Sequence, residues 1–310
     1  MSFLELKNDF SLGKISKADY IQSAHSGFHT HLFDFSRNLP QTDIREISIT
    51  DRGVIFTVRS SGVKFYGQPH DHRCPPIETY NFSDFEPAES KMMRKLFEGF
   101  NTFYDVGANI GWHSLNLASL FRDAEFFCFE PIPTTFQQLT ANISLNAFFS
   151  ISAFNVALSD RDEKANFFYY EACSGNASAE NLSNRDDVRV IECNLVKLDE
   201  FITSHGLPPP HFVKCDVEGA ELHVLLGGAK TIQNHHPIIL AEVLRKWSAR
   251  FQYDPNDIFK LLSSFGYNAY TTNGRYLNPF MSMNEDTPET NFFFLHPVIH
   301  QEKIRQFVAP

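Results

Sequence analysis

Three kinds of hydrophobic patterning follow one another along the chain. The first forty residues show little periodicity beyond one predicted helix around 17–23. From 44 to 66, the short β-rich runs REISITD, GVIFTVRS and GVKFYG are punctuated by Asp51-Arg52-Gly53 and Ser60-Ser61-Gly62, the pattern of an antiparallel meander with hairpin turns. Pro69, Pro75, Pro76 and Pro87 then mark a stretch expected to be irregular. Beyond about residue 88 apolar strand-like runs (103–106, 125–129, 152–156, 211–216, 238–243, 267–270 and 292–295) alternate with helical segments (112–121, 134–146, 220–231 and 255–264). This alternation predicts a mostly parallel sheet covered on both faces. Only a loop, 271–291, separates the last two strands, so a final antiparallel hairpin is expected. An insertion at 165–194 reads as two strands, NFFYY and VRVIEC, around the polar loop ACSGNASAENLSNRDD. The expected division is 1–88, a helix and β-rich appendage that is a candidate acceptor or oligomer region, and 89–310, the main domain.

Composition narrows the class. Hydrophobic residues make up 43% and charged residues 21%, as in a folded globular chain. The 32 phenylalanines concentrate in the strands and are expected to be core. A formal net charge of -10 argues against a partner gripped through its phosphate backbone, so nucleic acid is not expected. No basic segment followed by an apolar run opens the chain, and no run approaches the roughly 18 apolar residues of a membrane span, so a cytoplasmic location is expected. The cysteines, Cys74, Cys128, Cys173, Cys193 and Cys215, are odd in number and form no C-x-x-C, as suits reduced buried thiols. No metal is expected. His70-Asp-His72 has ligand spacing, but no third ligand can be placed beside it.

The chemistry gathers at the ends of the predicted strands. Asp105-Val-Gly107-Ala108-Asn109-Ile-Gly111 follows the strand 103–106 and precedes a helix. Glycines there let the chain turn sharply where open α/β sheets bind ligands. A dinucleotide site wants G-x-G-x-x-G with pyrophosphate on the helix N-terminus. Here the spacing is G-x-x-x-G and an acid precedes it, which would repel a pyrophosphate and attract an ammonium group. Glu130 ends the next strand, 23 residues after Gly107, where a carboxylate can take both hydroxyls of a ribose. Asn155, Val156 and Ala157, after the third strand, are candidates to receive an adenine ring. Asp216 and Glu218 leave the fourth strand two residues apart, with Gly219 permitting close approach. Glu221 suits the acidic first turn of a helix. Glu242 and Trp247, at and beyond the fifth strand, are candidates to line an acceptor pocket, and His113 lies just inside the first helix of the alternating region.

Taken in order, DVGANIGWHS, FEPIPTTFQQLTANISLN, NVALSD, LDEF, VKCDVEGAELHVLLGG and PIILAEV resemble the FkbM family of methyltransferases over about residues 95–245. The resemblance implies a class I, Rossmann-like α/β fold, with a mostly parallel seven-stranded sheet whose last strand is antiparallel, plus the β-rich appendage. It implies S-adenosylmethionine as methyl donor and O-methylation of a small-molecule or sugar hydroxyl. Cofactor contacts are then expected from Asp105, Gly107, Ala108, Asn109, Gly111, Glu130, Asn155, Val156, Ala157 and Asp216. A general base must take the acceptor proton. Glu218 is the first choice and His113 the second. The loop around 174–187 and the β-rich segment are expected to cover the acceptor. The rivals are an NAD(P)-dependent oxidoreductase, which lacks a third glycine and a Tyr-x-x-x-Lys here, and a non-catalytic binding protein, against which the intact Asp105, Glu130 and Asp216 speak.

Overall fold

The computed structural model describes residues 1–170, 175, 177–180 and 188–309. The strands are β1 (Ile44–Thr50), β2 (Gly53–Val58), β3 (Lys64–Tyr66), β4 (Thr102–Val106), β5 (Glu125–Phe129), β6 (Ile151–Phe154), β7 (Ala157–Ser159), β8 (Glu163–Tyr169), β9 (Arg189–Lys197), β10 (Phe212–Cys215), β11 (Ile238–Glu242), β12 (Asn268–Thr272), β13 (Leu277–Phe280) and β14 (Asn291–Leu295). They form a central sheet in the order β13-β12-β14-β11-β10-β4-β5-β6 and two three-stranded sheets, β1-β2-β3 and β7-β9-β8. In the central sheet β6, β5, β4, β10 and β11 are parallel, and β14 inserts antiparallel between β11 and β12. All seven expected main strands are present. The eighth, β13, falls in the stretch read as a loop. It carries Pro279, which is tolerated because β13 is an edge strand.

Alternation along the strands builds two apolar layers. Phe103, Phe126, Phe212, Phe293 and Leu295 pack on one face with Met92, Leu96 and Phe97 of helix Pro87–Phe97 and with Leu115 of helix Trp112–Leu120. Tyr104, Phe127, Phe129, Val213, Ile239, Phe292 and Phe294 pack on the other, with Leu198, Val224, Phe259 and Leu262 from three further helices. The phenylalanines of these central strands are core, as expected, whereas Phe33, Phe35, Phe82 and Phe149, outside them, are exposed. Each fully buried one contributes about 1.5–3 kcal/mol. Val58, Val63 and Phe65 of the β1-β2-β3 meander share the first layer, so that sheet is pinned to the main body.

Two stretches are more helical than expected. Pro75 and Pro87 begin the helices Pro75–Phe82 and Pro87–Phe97, because a proline in the first turn gives up an N–H that has no helical partner anyway. The first forty residues hold Phe3–Ser11, Lys17–Ala24 and Thr30–Asn38, the first opened by a Ser2/Glu5 capping box and the second by Ser16. His70 and His72 lie exposed in a bend and a turn rather than on one strand face. Among the described residues no helix is long and apolar enough to cross a membrane.

Candidate functional site

A cavity of about 470 Å³ opens at the carboxyl ends of β4, β5, β10 and β11. Val106, Gly107 and Asn109 line it from the first turn, Glu130 from the second, and Val156 and Ala157 from the third; Asp216, Glu218 and Glu242 form its far end. The turn after β4 works by close approach. Gly107 has φ 78°, and a Cβ on it would lie 1.8 Å from the carbonyl oxygen of Asp216, so the first and fourth turns touch only because that residue is glycine.

Glu130 is 5% exposed and is held by backbone. The N–H of Asn109 donates to Oε2 at 3.0 Å and that of Ile132 to Oε1 at 2.9 Å. Burial nevertheless pushes its carboxyl up to about 7. Asn155 donates its side-chain amide to the carbonyls of Glu130 and Pro131, at 2.8 and 2.9 Å. It therefore braces the second turn from outside the lining, while its neighbours Val156 and Ala157 reach the cavity. Ala157 opens strand β7, which pairs parallel with β9, and Phe167, Leu195 and Ala165 of the small sheet line this end.

The far end is a cluster of acids around one buried cation. Lys214 is 4% exposed, with Nζ donating to Asp216 Oδ2 at 3.0 Å and lying 3.6 Å from Asp105 Oδ1. Burial opposes its charge, but Asp216 and Asp105 outweigh burial and hold it well above the ordinary lysine value. Burial likewise pushes Asp216 up, and Lys214 overcomes this to keep it ionised. Asp216, Glu218 and Glu242 each bring a carboxylate oxygen within 4.8 Å of the other two. Burial, with the charges of Asp216 and Glu218, lifts Glu242 to about 11, so at neutral pH it carries a proton that it shares with Asp216. Burial and the same neighbours raise Glu218 well above the carboxylate range. Glu218 is held at φ 55°, in left-handed backbone, and its carbonyl accepts from Ser178 Oγ at 3.0 Å. Glu221 caps the turn, its Oε1 accepting from the N–H groups of Val217 and Gly219 at 3.0 and 3.1 Å.

Several expected contacts fall elsewhere. Asp105 does not line the cavity; it is 1% exposed, accepts from Ser114 Oγ at 2.7 Å and faces Lys214, so its ammonium partner is internal. Ala108 lies outside the lining, and its N–H and that of Gly107 both donate to the carbonyl of Phe129. Gly111 faces Leu115 and Leu139, which come within 2.4 and 2.6 Å of where its Cβ would be. His113 is buried beside the cavity and tied through Nε2 to Glu86 Oε2 at 2.9 Å; Glu86 reaches the lining and the histidine does not. Lys214 and Glu86 carried no weight in the sequence. Lys214 had a signal: a lysine inside the apolar run FVKC needs a buried partner, and acids flank it. Trp247 and Lys246 line the cavity beyond Glu242, with Lys246 Nζ 4.0 Å above the indole. Most of the 174–187 loop lies outside the described residues, but Gly175, Ala177 and Ala179 line the cavity.

A mostly parallel sheet with an antiparallel β14, a glycine turn after β4 and acids at successive strand ends define a class I methyltransferase fold. Residues 105–269 match the methyltransferase FkbM domain, and the chain belongs to that family. It is 30% identical over 186 residues to hexuronic acid methyltransferase AglP of Haloferax volcanii, covering 56% of this chain and 68% of AglP. It is 28% identical over 144 residues to 2-O-methyltransferase NoeI of Sinorhizobium fredii, covering 41% of this chain and 57% of NoeI. A solved methyltransferase FkbM from Methylobacillus flagellatus aligns over 71% of this chain and 54% of its own, at 15% identity and a TM-score of 0.42.

Proposed function

We propose that the chain is an S-adenosylmethionine-dependent O-methyltransferase acting on a hydroxyl of a sugar or other small molecule. Glu130 carries the proposal. Each of its carboxylate oxygens accepts one backbone N–H and retains a further acceptor position, on a residue that lines the cavity. That is the pair of acceptors to which the hydroxyls of a vicinal diol can donate. A pyrophosphate suits the same turn poorly: the Asn109 N–H is already taken by Glu130, and Leu115 and Leu139 crowd the helix start at Gly111. The residues therefore fit an adenosyl cation better than NAD(P). Gly107, Asn109 and Glu130 would hold the ribose side, Val156 and Ala157 the base, and Asp216 the amino group. When bound, the cofactor supplies an activated methyl group.

The protein's own work is to position the acceptor, exclude water and take a proton. Glu218 is the proposed base. It lines the cavity, whereas the runner-up His113 is turned onto Glu86. A positive charge in the cavity favours the ionised, basic form of Glu218, while Glu242 keeps its proton against Asp216. The acceptor wall is assigned to Trp247, Lys246, the β7-β9-β8 sheet and the following loop. The names of AglP and NoeI support a sugar acceptor. The division at residue 88 remains part of this proposal, as does a cytoplasmic site of action, which suits the buried free thiols of Cys74, Cys128, Cys193 and Cys215.

The test is transfer of a labelled methyl group to a panel of neutral and uronic-acid glycosides. Alkali-stable label, a methyl ether, is expected. Alkali-labile label would move the acceptor from hydroxyl to carboxylate, and an acceptor-dependent oxidation of NADH without methyl transfer would overturn the proposal.

A further inference from the structure

Backbone strain gathers at the cavity. Among the described residues seven non-glycine positions hold left-handed backbone, and three of them, Glu86, Asn109 and Glu218, line the same cavity. Such backbone is costly for a residue that carries a Cβ, and it persists only where the surroundings hold it. Asn109 and Glu218 belong to the turns after β4 and β10. Glu86 reaches the cavity from outside the central sheet, from the turn between helices Pro75–Phe82 and Pro87–Phe97.

Starting a helix does not account for Glu86. It stands at the N-cap of helix Pro87–Phe97 with φ 45°, yet its side chain accepts from none of that helix's N–H groups. It is turned instead to His113, whose Nε2 lies 2.9 Å from Oε2. An ionised carboxylate can only accept, so the histidine is the donor in this bond. The His113 side chain is 7% exposed and that of Glu86 29%. Oε1 of Glu86 makes no hydrogen bond to any described residue. A buried histidine thus fixes one carboxylate oxygen and leaves the other to the cavity.

Charge selects what the second oxygen meets. Glu86 lies close enough to Lys214 to help hold that buried charge, together with Asp216 and Asp105. One lysine therefore serves three carboxylates, and the surplus is negative in a place largely shut off from water. A ligand group that carries both a positive charge and N–H donors satisfies it; a hydroxyl supplies no charge.

We propose that Glu86 is a second carboxylate for the amino group of bound S-adenosylmethionine, sharing it with Asp216, and that His113 positions Glu86 for this task. The assignment rests on reading the cavity as an adenosyl-cation site. It makes the segment before the central sheet part of the cofactor site.

The experiment is calorimetric titration of the full chain and of Glu86→Gln with two ligands, S-adenosylhomocysteine and 5′-methylthioadenosine. The second keeps the adenine, ribose and sulfur of the first and lacks its amino-acid arm. The wild type is expected to bind S-adenosylhomocysteine the more tightly. Glu86→Gln should weaken S-adenosylhomocysteine by roughly tenfold or more, the size of a lost hydrogen bond to a charged group, and 5′-methylthioadenosine by less than about twofold. Glu86→Asn, whose side chain tolerates left-handed backbone well, should show the same split and serves if Glu86→Gln folds poorly. Equal losses for both ligands would make Glu86 a structural residue and overturn the proposal, as would unchanged S-adenosylhomocysteine affinity in a folded variant or a wild type that binds the two ligands equally. A wild type that binds neither would remove the cofactor reading itself, and this assignment with it.

Discussion

The two ends of the cavity bury carboxylates in opposite ways. At one end Glu130 is solvated by backbone, with an N–H on each oxygen. At the other, Asp216, Glu218 and Glu242 are half-buried and crowd one another, with Lys214 as the nearby cation. Fixed dipoles hold Glu130 in one geometry and oppose the upward push of burial, which still lifts it to about 7. Crowded acids cannot all ionise, so Glu242 keeps its proton and Glu218 is lifted. The contrast separates recognition from reactivity: the first arrangement fixes the position of a carboxylate, the second suits a group that must exchange a proton.

The largest effect is expected at the crowded end. Glu218→Gln keeps shape and removes basicity, and should lower turnover by roughly 10²–10⁴-fold with cofactor affinity nearly unchanged. Single-turnover kinetics beside His113→Ala checks this; a collapse in the histidine variant alone would move the base to His113 and dissolve the contrast.

Lys214→Met tests what holds that end together. Removing the cation leaves the buried Asp105 and the half-buried Asp216 without it, and breaking a buried pair costs about 3–5 kcal/mol. A large drop in Tm is expected, which Lys214→Met/Asp216→Leu should partly restore. An unchanged Tm would show that the acids do not depend on the lysine.

At the backbone-held end, Glu130→Gln should weaken S-adenosylhomocysteine binding by about 1.5–3 kcal/mol in a calorimetric titration. Glu130→Ala should also lower Tm, because it orphans the N–H groups of Asn109 and Ile132 at a cost of about 1–3 kcal/mol each. A Glu130→Ala protein with native Tm would show that the two N–H groups do not depend on the carboxylate.

The smallest effect lies at the opposite edge of the sheet. Burial, with His296 nearby, lowers His300 to about 4, so the fold favours its neutral form. The stability this gives is complete above the unfolded value near 6.5 and is lost as pH falls towards 4, amounting to about 1–2 kcal/mol by pH 5. His300→Gln should flatten the fall in Tm between pH 7 and 5. Parallel curves would show that the histidine is not titrating in that window.

The main sheet was legible because its strands are apolar runs closed by glycines and acids, as at Asp105–Gly111 and Glu130. Pro279 hid β13, since its tolerance depends on an edge position that only the fold reveals. Of the N-terminal helices Lys17–Ala24 was expected, but Phe3–Ser11 and Thr30–Asn38 were missed, the first despite the capping pattern SFLE at 2–5, because few apolar residues follow at helical spacing. At the site, position along the chain located Glu130, Asp216 and Glu218. It could not show that Asp105 faces an internal lysine, that Asn155 braces a turn from behind, or that His113 is turned onto Glu86. Those depend on side-chain direction across strands far apart in sequence.

The most direct measurement is isothermal titration calorimetry of the intact protein with S-adenosylhomocysteine, then with NADH on the same sample. Binding of the first and no heat from the second is expected, with the first lost or weakened in Glu130→Gln. Binding of NADH and none of S-adenosylhomocysteine would contradict the assignment of the cavity.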